Sequence, residues 1–264
     1  MYIHNLDPVL FDFGLISIRW YSLSYILGIL IGWWYGKKII SKVINKNENN
    51  LSISEFDDLI TYIVLSIILG GRLGYVLFYN YNYYLENPFE IFMIWKGGMS
   101  FHGALLGIIL GCYIFSIKRG VKTFVILDVI ACVSPIGIFL GRLANFINGE
   151  LYGKVTTLPF GIIFPKVDNL TRHPSQLYEA FLEGFLLFII LNFILFRRDY
   201  IKGLGSSLFL ILYGVFRIIS EIFREPDTQV GYIMGQLTIG SILSFLMVLA
   251  GATMLAKIKW ANQK

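Results

Sequence analysis

Three arginines, Arg72, Arg142 and Arg217, stand inside stretches that otherwise read as membrane-spanning: LGGRLGYVLF, IGIFLGRLANF and LYGVFRIISEIF. A guanidinium keeps its proton, and a charged residue at mid-bilayer costs at least about 2.5 kcal/mol. Each therefore needs an internal partner or a wet cavity, which makes all three candidates for chemistry. The chemistry that suits arginine is recognition of a phosphodiester. Its planar fork bonds two oxygens at once and stays charged in a poorly hydrated site.

Spacing groups two of these arginines with other polar residues. Arg142, Asn145 and Gly149 fall at i, i+3 and i+7, and Tyr213, Arg217, Glu221 and Arg224 at i, i+4, i+8 and i+11, so each set shares one helical face. Asn148 and Glu150 close the first set, and Trp20 and Tyr21 follow Arg19 at the start of an apolar run. His102, set between Gly97-Gly98 and Gly103, is a candidate base, since an unperturbed imidazole has a pKa of about 6.5. Structural readings stand beside each of these. Arg217 with Glu221 reads equally as an ion pair, Asn145 and Asn148 as bonds between helices, and Tyr21 as an interface anchor. Arg72 is placed in the cytoplasmic half of its span, snorkelling or paired with Asp57 or Asp58.

The elements that must carry these residues are helices in a bilayer. The chain has 264 residues, 56% of them hydrophobic, and a mean hydropathy of +0.67, too apolar for a water-soluble globule. The expected fold is an all-α polytopic membrane protein forming one integral-membrane unit over 1–264. Spans are predicted near 17–36, 59–79, 101–117, 124–146, 177–196, 204–222 and 234–256. Thirteen Lys and Arg follow the odd-numbered spans, from Lys37, Lys38, Lys42 and Lys46 to Lys257, Lys259 and Lys264, against five in the alternate loops. This bias puts the N-terminus outside and the C-terminus in the cytoplasm. The candidate residues around Arg142 and Arg217 then gather at the outer leaflet. No short cleavable leader is read, and the N-terminus is expected to be kept.

Gly103, Gly107 and Gly111 repeat every four residues, and Gly70 with Gly74 and Gly137 with Gly141 offer the same small-residue surface. The formal charge of +5 lies in short clusters between apolar runs, which argues for topology and against nucleic acid. Cys112 and Cys132 lie in apolar runs without ligand spacing, so each reads as a small hydrophobe, and no cofactor or metal is expected.

The motifs resemble those of the prolipoprotein diacylglyceryl transferases of the bacterial inner membrane. The likeness covers nearly the whole chain and is strongest in Gly141-Arg142-Leu143-Ala144-Asn145-Phe146-Ile147-Asn148-Gly149-Glu150-Leu151-Tyr152-Gly153. Gly97 to Gly103, Arg172-His173-Pro174-Ser175-Gln176-Leu177-Tyr178-Glu179, and Phe216-Arg217 through Glu221 to Arg224-Glu225-Pro226-Asp227 follow in order. The resemblance implies transfer of the diacylglyceryl group of phosphatidylglycerol to the lipobox cysteine of prolipoproteins, with release of glycerol phosphate. It implies catalytic roles for Arg142, Arg217 and His102, and substrate binding by Arg142, Tyr21, Asn145, Asn148, Glu150, Gly153 and Glu221. Membrane lipids are the surrounding partners. Ala104 stands where the family commonly has a second glycine, and the loop from Gly153 to Arg172 is short. Two rival classes remain: a secondary transporter or channel for an anionic solute using the same arginines, and an intramembrane hydrolase built on Ser100 and His102.

Overall fold

The computed structural model describes residues 2–14, 17–44, 51–197, 199–226, 231–233 and 237–261; Lys46, Arg198, Asp227 and Lys264 lie outside them. Seven long helices run through these residues: α1 Trp20–Ile39, α2 Ile53–Phe78, α3 Phe101–Arg119, α4 Thr123–Asn148, α5 Ser175–Arg197, α6 Leu204–Glu221 and α7 Ile239–Ala261. Six of them, α2 to α7, are long and apolar enough to cross a membrane. α1 has 20 residues, enough for about 30 Å. It is diluted by Trp20, Tyr21, Tyr25, Trp33, Trp34 and Tyr35 and ends in Lys37 and Lys38. The chain is thus an all-α polytopic membrane protein.

Helix ends follow their capping chemistry. Ser52 and Glu55 form a reciprocal capping box at the start of α2. Ser100 accepts a hydrogen bond from the Gly103 amide at 3.2 Å to open α3. Gly149, at φ +70°, ends α4 in the left-handed conformation that favours glycine.

Close packing follows the small residues. α2 lies against α3 with Gly70 and Gly74 facing Gly103 and Gly107; a Cβ at Gly74 would stand 2.6 Å from the Gly103 Cα. Gly28 of α1 meets the Gly137 backbone of α4, whereas Gly141 faces open space. α4 is the central helix, touching α1, α3, α5 and α6. The core between these helices is apolar where Ile40, Phe56, Phe115, Ile126, Val129 and Leu187 meet, and both cysteines are buried and free within it. Leu65, Leu69, Leu73 and Leu77 form an exposed stripe along α2, as expected of a face turned to lipid.

Short strands lie beyond the ends of the helices that carry the arginines. β1 (Tyr2–Ile3) pairs parallel with β4 (Ile162–Ile163), which pairs antiparallel with β5 (Thr171–Arg172), while β2 (Val9–Asp12) and β3 (Ser17–Arg19) form a hairpin leading into α1. His4 anchors the N-terminal segment, its Nε2 lying 2.7 Å from the Phe146 carbonyl oxygen.

Arg72 requires a correction. It stands towards the C-terminal end of α2 and pairs with neither Asp57 nor Asp58. Those carboxylates are bound instead by Lys37 at 2.7 Å and Arg119 at 2.5 Å. The Arg72 guanidinium is buried and donates to the carbonyls of Glu90 at 2.6 Å, Ile91 at 2.9 Å, Met93 at 3.2 Å and Gly97. It ties the 79–101 connection to the end of α2, satisfying a buried charge with backbone dipoles.

Candidate active site

α5 supplies what brings the two arginine faces together. Between Ala180 and Leu186 the helix widens into a π-helical segment, preceded by Glu179 and containing Glu183, two carboxylates that are both fully buried. Such wide turns are common at functional sites. Gly184 in this segment lies against Phe139 of α4, where a Cβ would approach to 2.6 Å. That fit seats the two carboxylates under the end of α4.

Arg142 of α4 sets Nη1 2.8 Å from Glu179 Oε2 and Nη2 2.9 Å from Glu183 Oε2. Arg217 of α6 sets Nη1 3.2 Å from the same Glu179 Oε2, 3.5 Å from Glu183 Oε1, and Nη2 2.7 Å from Glu221 Oε2. Arg224 reaches Glu179 Oε1 at 3.5 Å. Two guanidinium forks from different helices therefore contact one oxygen atom. Removing one member of such a buried set typically costs about 3–5 kcal/mol, because the remaining charge is left unpaired. Glu221 is held in turn by Thr238, whose hydroxyl donates to its Oε1 at 2.8 Å.

Beside this network lies His102, near enough to Arg217 for electrostatic interaction, with both ring nitrogens buried and without a hydrogen-bond partner among the described residues. Its neighbour Phe101 stacks on Tyr213, whose ring lies 4.6 Å away centre to centre and is itself buried. Ser100 is buried in its capping role and makes no hydrogen bond to His102. The serine–histidine pair that a hydrolase needs is not formed.

The Asn145–Glu150 corner forms a third part. The Asn145 side chain donates to Glu150 Oε1 at 2.7 Å and Asn148 to the same oxygen at 3.3 Å. The turn is reinforced from α5, where Gln176 Nε2 donates to the Glu150 carbonyl at 2.7 Å and Ser175 Oγ to the Leu151 carbonyl at 3.0 Å. Leu151 sits at φ +55°, a strained conformation for a branched residue that the surrounding bonds hold in place. Gly153 bridges to Arg224, and a Cβ there would lie 2.6 Å from the His173 Cβ and 2.7 Å from the Phe223 carbonyl oxygen. Outside the spans, hydrogen bonding to Arg172 holds the Asp168 carboxyl below its usual range. Burial, aided by Lys154, lowers the His173 imidazole. Arg172 also donates to the Gly153 carbonyl at 3.1 Å.

Tyr21 is the outlying member. Its hydroxyl lies 3.2 Å from that of Tyr25, and Tyr25 is within electrostatic reach of Arg142 and Glu150. Glu179 and Glu183 are the important residues that the arginine spacing alone does not reveal. A carboxylate within a spanning run is as anomalous as an arginine, and that signal is present in SQLYEAFLEGFLLF. Asp128 carries the same signal with a structural outcome. Buried in α4, it accepts from the Gly203 amide at 2.6 Å, the Ser206 amide at 2.7 Å and the Tyr200 hydroxyl at 2.9 Å, fixing the start of α6.

A family model described as prolipoprotein diacylglyceryl transferase matches residues 8–257. The chain is 51% identical over 260 residues to a protein of Rickettsia typhi, covering 98% of this chain and 99% of that one. It is 50% identical over 255 residues to a protein of Rickettsia felis, covering 96% and 97%. Both relatives are named phosphatidylglycerol--prolipoprotein diacylglyceryl transferase.

Proposed function

Because the chain belongs to the prolipoprotein diacylglyceryl transferase family, we propose that it transfers the diacylglyceryl group of phosphatidylglycerol to the lipobox cysteine thiol of prolipoproteins. The observation that carries this reading is the shared contact of Arg142 and Arg217 with Glu179 Oε2, at 2.8 and 3.2 Å. Forks that meet on one carboxylate oxygen stand close enough to serve one phosphodiester.

In the reaction, the thiol sulfur attacks the glyceryl carbon bonded to the phosphate. The S–C bond forms as the C–O bond breaks, and the electron pair leaves with glycerol phosphate. Arg142 and Arg217 meet the charge growing on the phosphate, from fixed positions in a water-poor setting where such donors act strongly. His102, whose ring nitrogens are unpartnered among the described residues, takes the thiol proton. Glu179, Glu183 and Glu221 hold the arginine forks in place. Asn145, Asn148, Glu150 and Gly153 shape the wall that receives the headgroup, and Tyr21 contributes through Tyr25.

Residues 1–264 act as one catalytic unit in the bacterial inner membrane. The charge bias of the loops supports an outer-leaflet location for the site. The polar groups collected at one end of the bundle, above an apolar core, fit lateral entry of a lipid better than passage of a solute across it.

The test is to incubate purified protein with phosphatidylglycerol and a lipobox peptide and to follow the peptide by mass spectrometry. A diacylglyceryl adduct on the cysteine is expected. Its absence, with folded protein and both substrates present, would overturn the assignment.

A further inference from the structure

A cavity of about 640 Å³ lies between α3, α4, α6 and α7, away from the arginine network. Its walls are apolar through Leu105, Ile108, Leu127, Ile130 and Phe209, and its two cationic lining residues, Lys122 and Lys202, belong to neighbouring loops at the same end of the bundle. The serine and threonine hydroxyls that reach it are already engaged. Thr123 bonds Ser116 at 2.7 Å, Ser134 donates to the Ile130 carbonyl at 2.7 Å, and Ser206 donates to Asp128 at 2.6 Å. An occupant thus meets hydrocarbon along the walls and positive charge at one mouth. Tyr113 and Phe124, both exposed, leave that end open to the surroundings of the protein.

The dimensions also select the occupant. Along α4 the lining runs from Thr123 to Ser134, a rise of about 16 Å, which is close to the roughly 15 Å depth of one leaflet's hydrocarbon. A further eight residues, about 12 Å of helix, separate Ser134 from Arg142.

We propose that this cavity is a second lipid site, taking an anionic phospholipid from the leaflet opposite the arginine pair. The acyl chain lies between α3, α4 and α6, and the phosphate sits on Lys122 and Lys202. The assignment rests on the chain spanning a bilayer and not on the transfer reaction, so a failure of one leaves the other standing.

Native mass spectrometry of the full protein tests it, titrating phosphatidylglycerol or phosphatidylethanolamine into delipidated Arg142→Gln/Arg217→Gln protein, in which the arginine pair is removed from lipid binding. In that background phosphatidylglycerol should still bind with one saturable site and phosphatidylethanolamine much less. Adding Lys122→Gln and Lys202→Gln should weaken it about 30-fold, since each basic residue near a lipid surface is worth roughly fivefold. If the arginine variant does not fold, the same lysine changes in the wild-type chain should remove one of two saturable phosphatidylglycerol sites. Leu127→Trp, which fills the cavity with the lysines intact, should lose the same site. Unchanged binding in the lysine variant, equal binding of the two lipids, or unchanged binding in Leu127→Trp would each overturn the proposal.

Discussion

Replacing Arg142 by lysine keeps the charge and removes the fork. Arg142 now places Nη1 2.8 Å from Glu179, with Nη2 at 2.9 Å and Nε at 3.3 Å from Glu183. A single ammonium can hold one of these carboxylates firmly and must release the other. One charge-assisted contact is lost in the resting protein, about 1.5–3 kcal/mol, without leaving a bare buried charge, so the variant should insert and fold. The reaction suffers more. Withdrawing one preorganised donor from developing negative charge lowers kcat by about 100- to 1000-fold. KM for phosphatidylglycerol should change by less, because lysine still attracts the phosphate. The assay is initial-rate transfer to a lipobox peptide in lipid nanodiscs, with thermal unfolding and lipid binding measured on the same preparation. A correctly folded Arg142→Lys protein turning over within about threefold of wild type would refute the fork argument, whose expected loss is at least 100-fold.

His102→Gln should remove the acid limb of the pH–rate profile and slow transfer by about 100-fold, in the usual range for a lost proton-transfer group; an unchanged profile with substantial activity would take His102 out of the base role. Gly153→Ala forces a Cβ to 2.6 Å from His173 and 2.7 Å from the Phe223 carbonyl. It should destabilise the protein by about 1–3 kcal/mol, read by thermal unfolding, and normal stability would show that the backbone there gives freely. The 153–174 connection should loosen as pH falls. Asp168 and His173 both have folded pKa values below their unfolded ones, so their contribution is complete above about pH 6.5 and is lost downwards, His173 first and Asp168 below about pH 4. Hydrogen exchange of that segment, corrected for intrinsic rates, should show falling protection from pH 7 to 5, with a flatter slope in His173→Gln; rising protection would contradict the sign.

What could be read from the residues was whatever leaves a periodic or side-chain signature. Runs of apolar residues marked the helices, and the Gly103-Gly107 repeat marked the face on which α2 and α3 meet. Arg142, Asn145 and the Arg217 set were visible as polar faces on apolar helices. The partners of Arg72 were misread because they are the carbonyls of Glu90, Ile91, Met93 and Gly97, and every residue type carries a carbonyl. The π-helical segment at Ala180–Leu186 left no mark either, since one wider turn does not break an apolar run. Strands such as Tyr2–Ile3 and Ile162–Ile163 are two residues long, too short for alternation to register. Glu179 and Glu183 were legible in principle. The rule that singled out the arginines applies equally to acids, but those acids lie on a helix that carries no arginine until its last turn.

The charge count of the network bears on how the proposed reaction gains its rate. Among the described residues Arg142, Arg217 and Arg224 face Glu179, Glu183 and Glu221, three cations against three anions within one connected cluster. A cluster so balanced does not grip a phosphodiester as tightly as three bare arginines would. The leaving group, however, departs as a phosphate monoester, carrying one more negative charge than the phosphodiester it came from. The guanidinium field is therefore worth more at the moment of C–O cleavage than in the lipid complex, and differential stabilisation of that kind raises kcat where uniform binding only lowers KM. In the proposed reaction the carboxylates thus serve in two ways. They fix the forks before substrate arrives, and they keep the resting complex from being held too well.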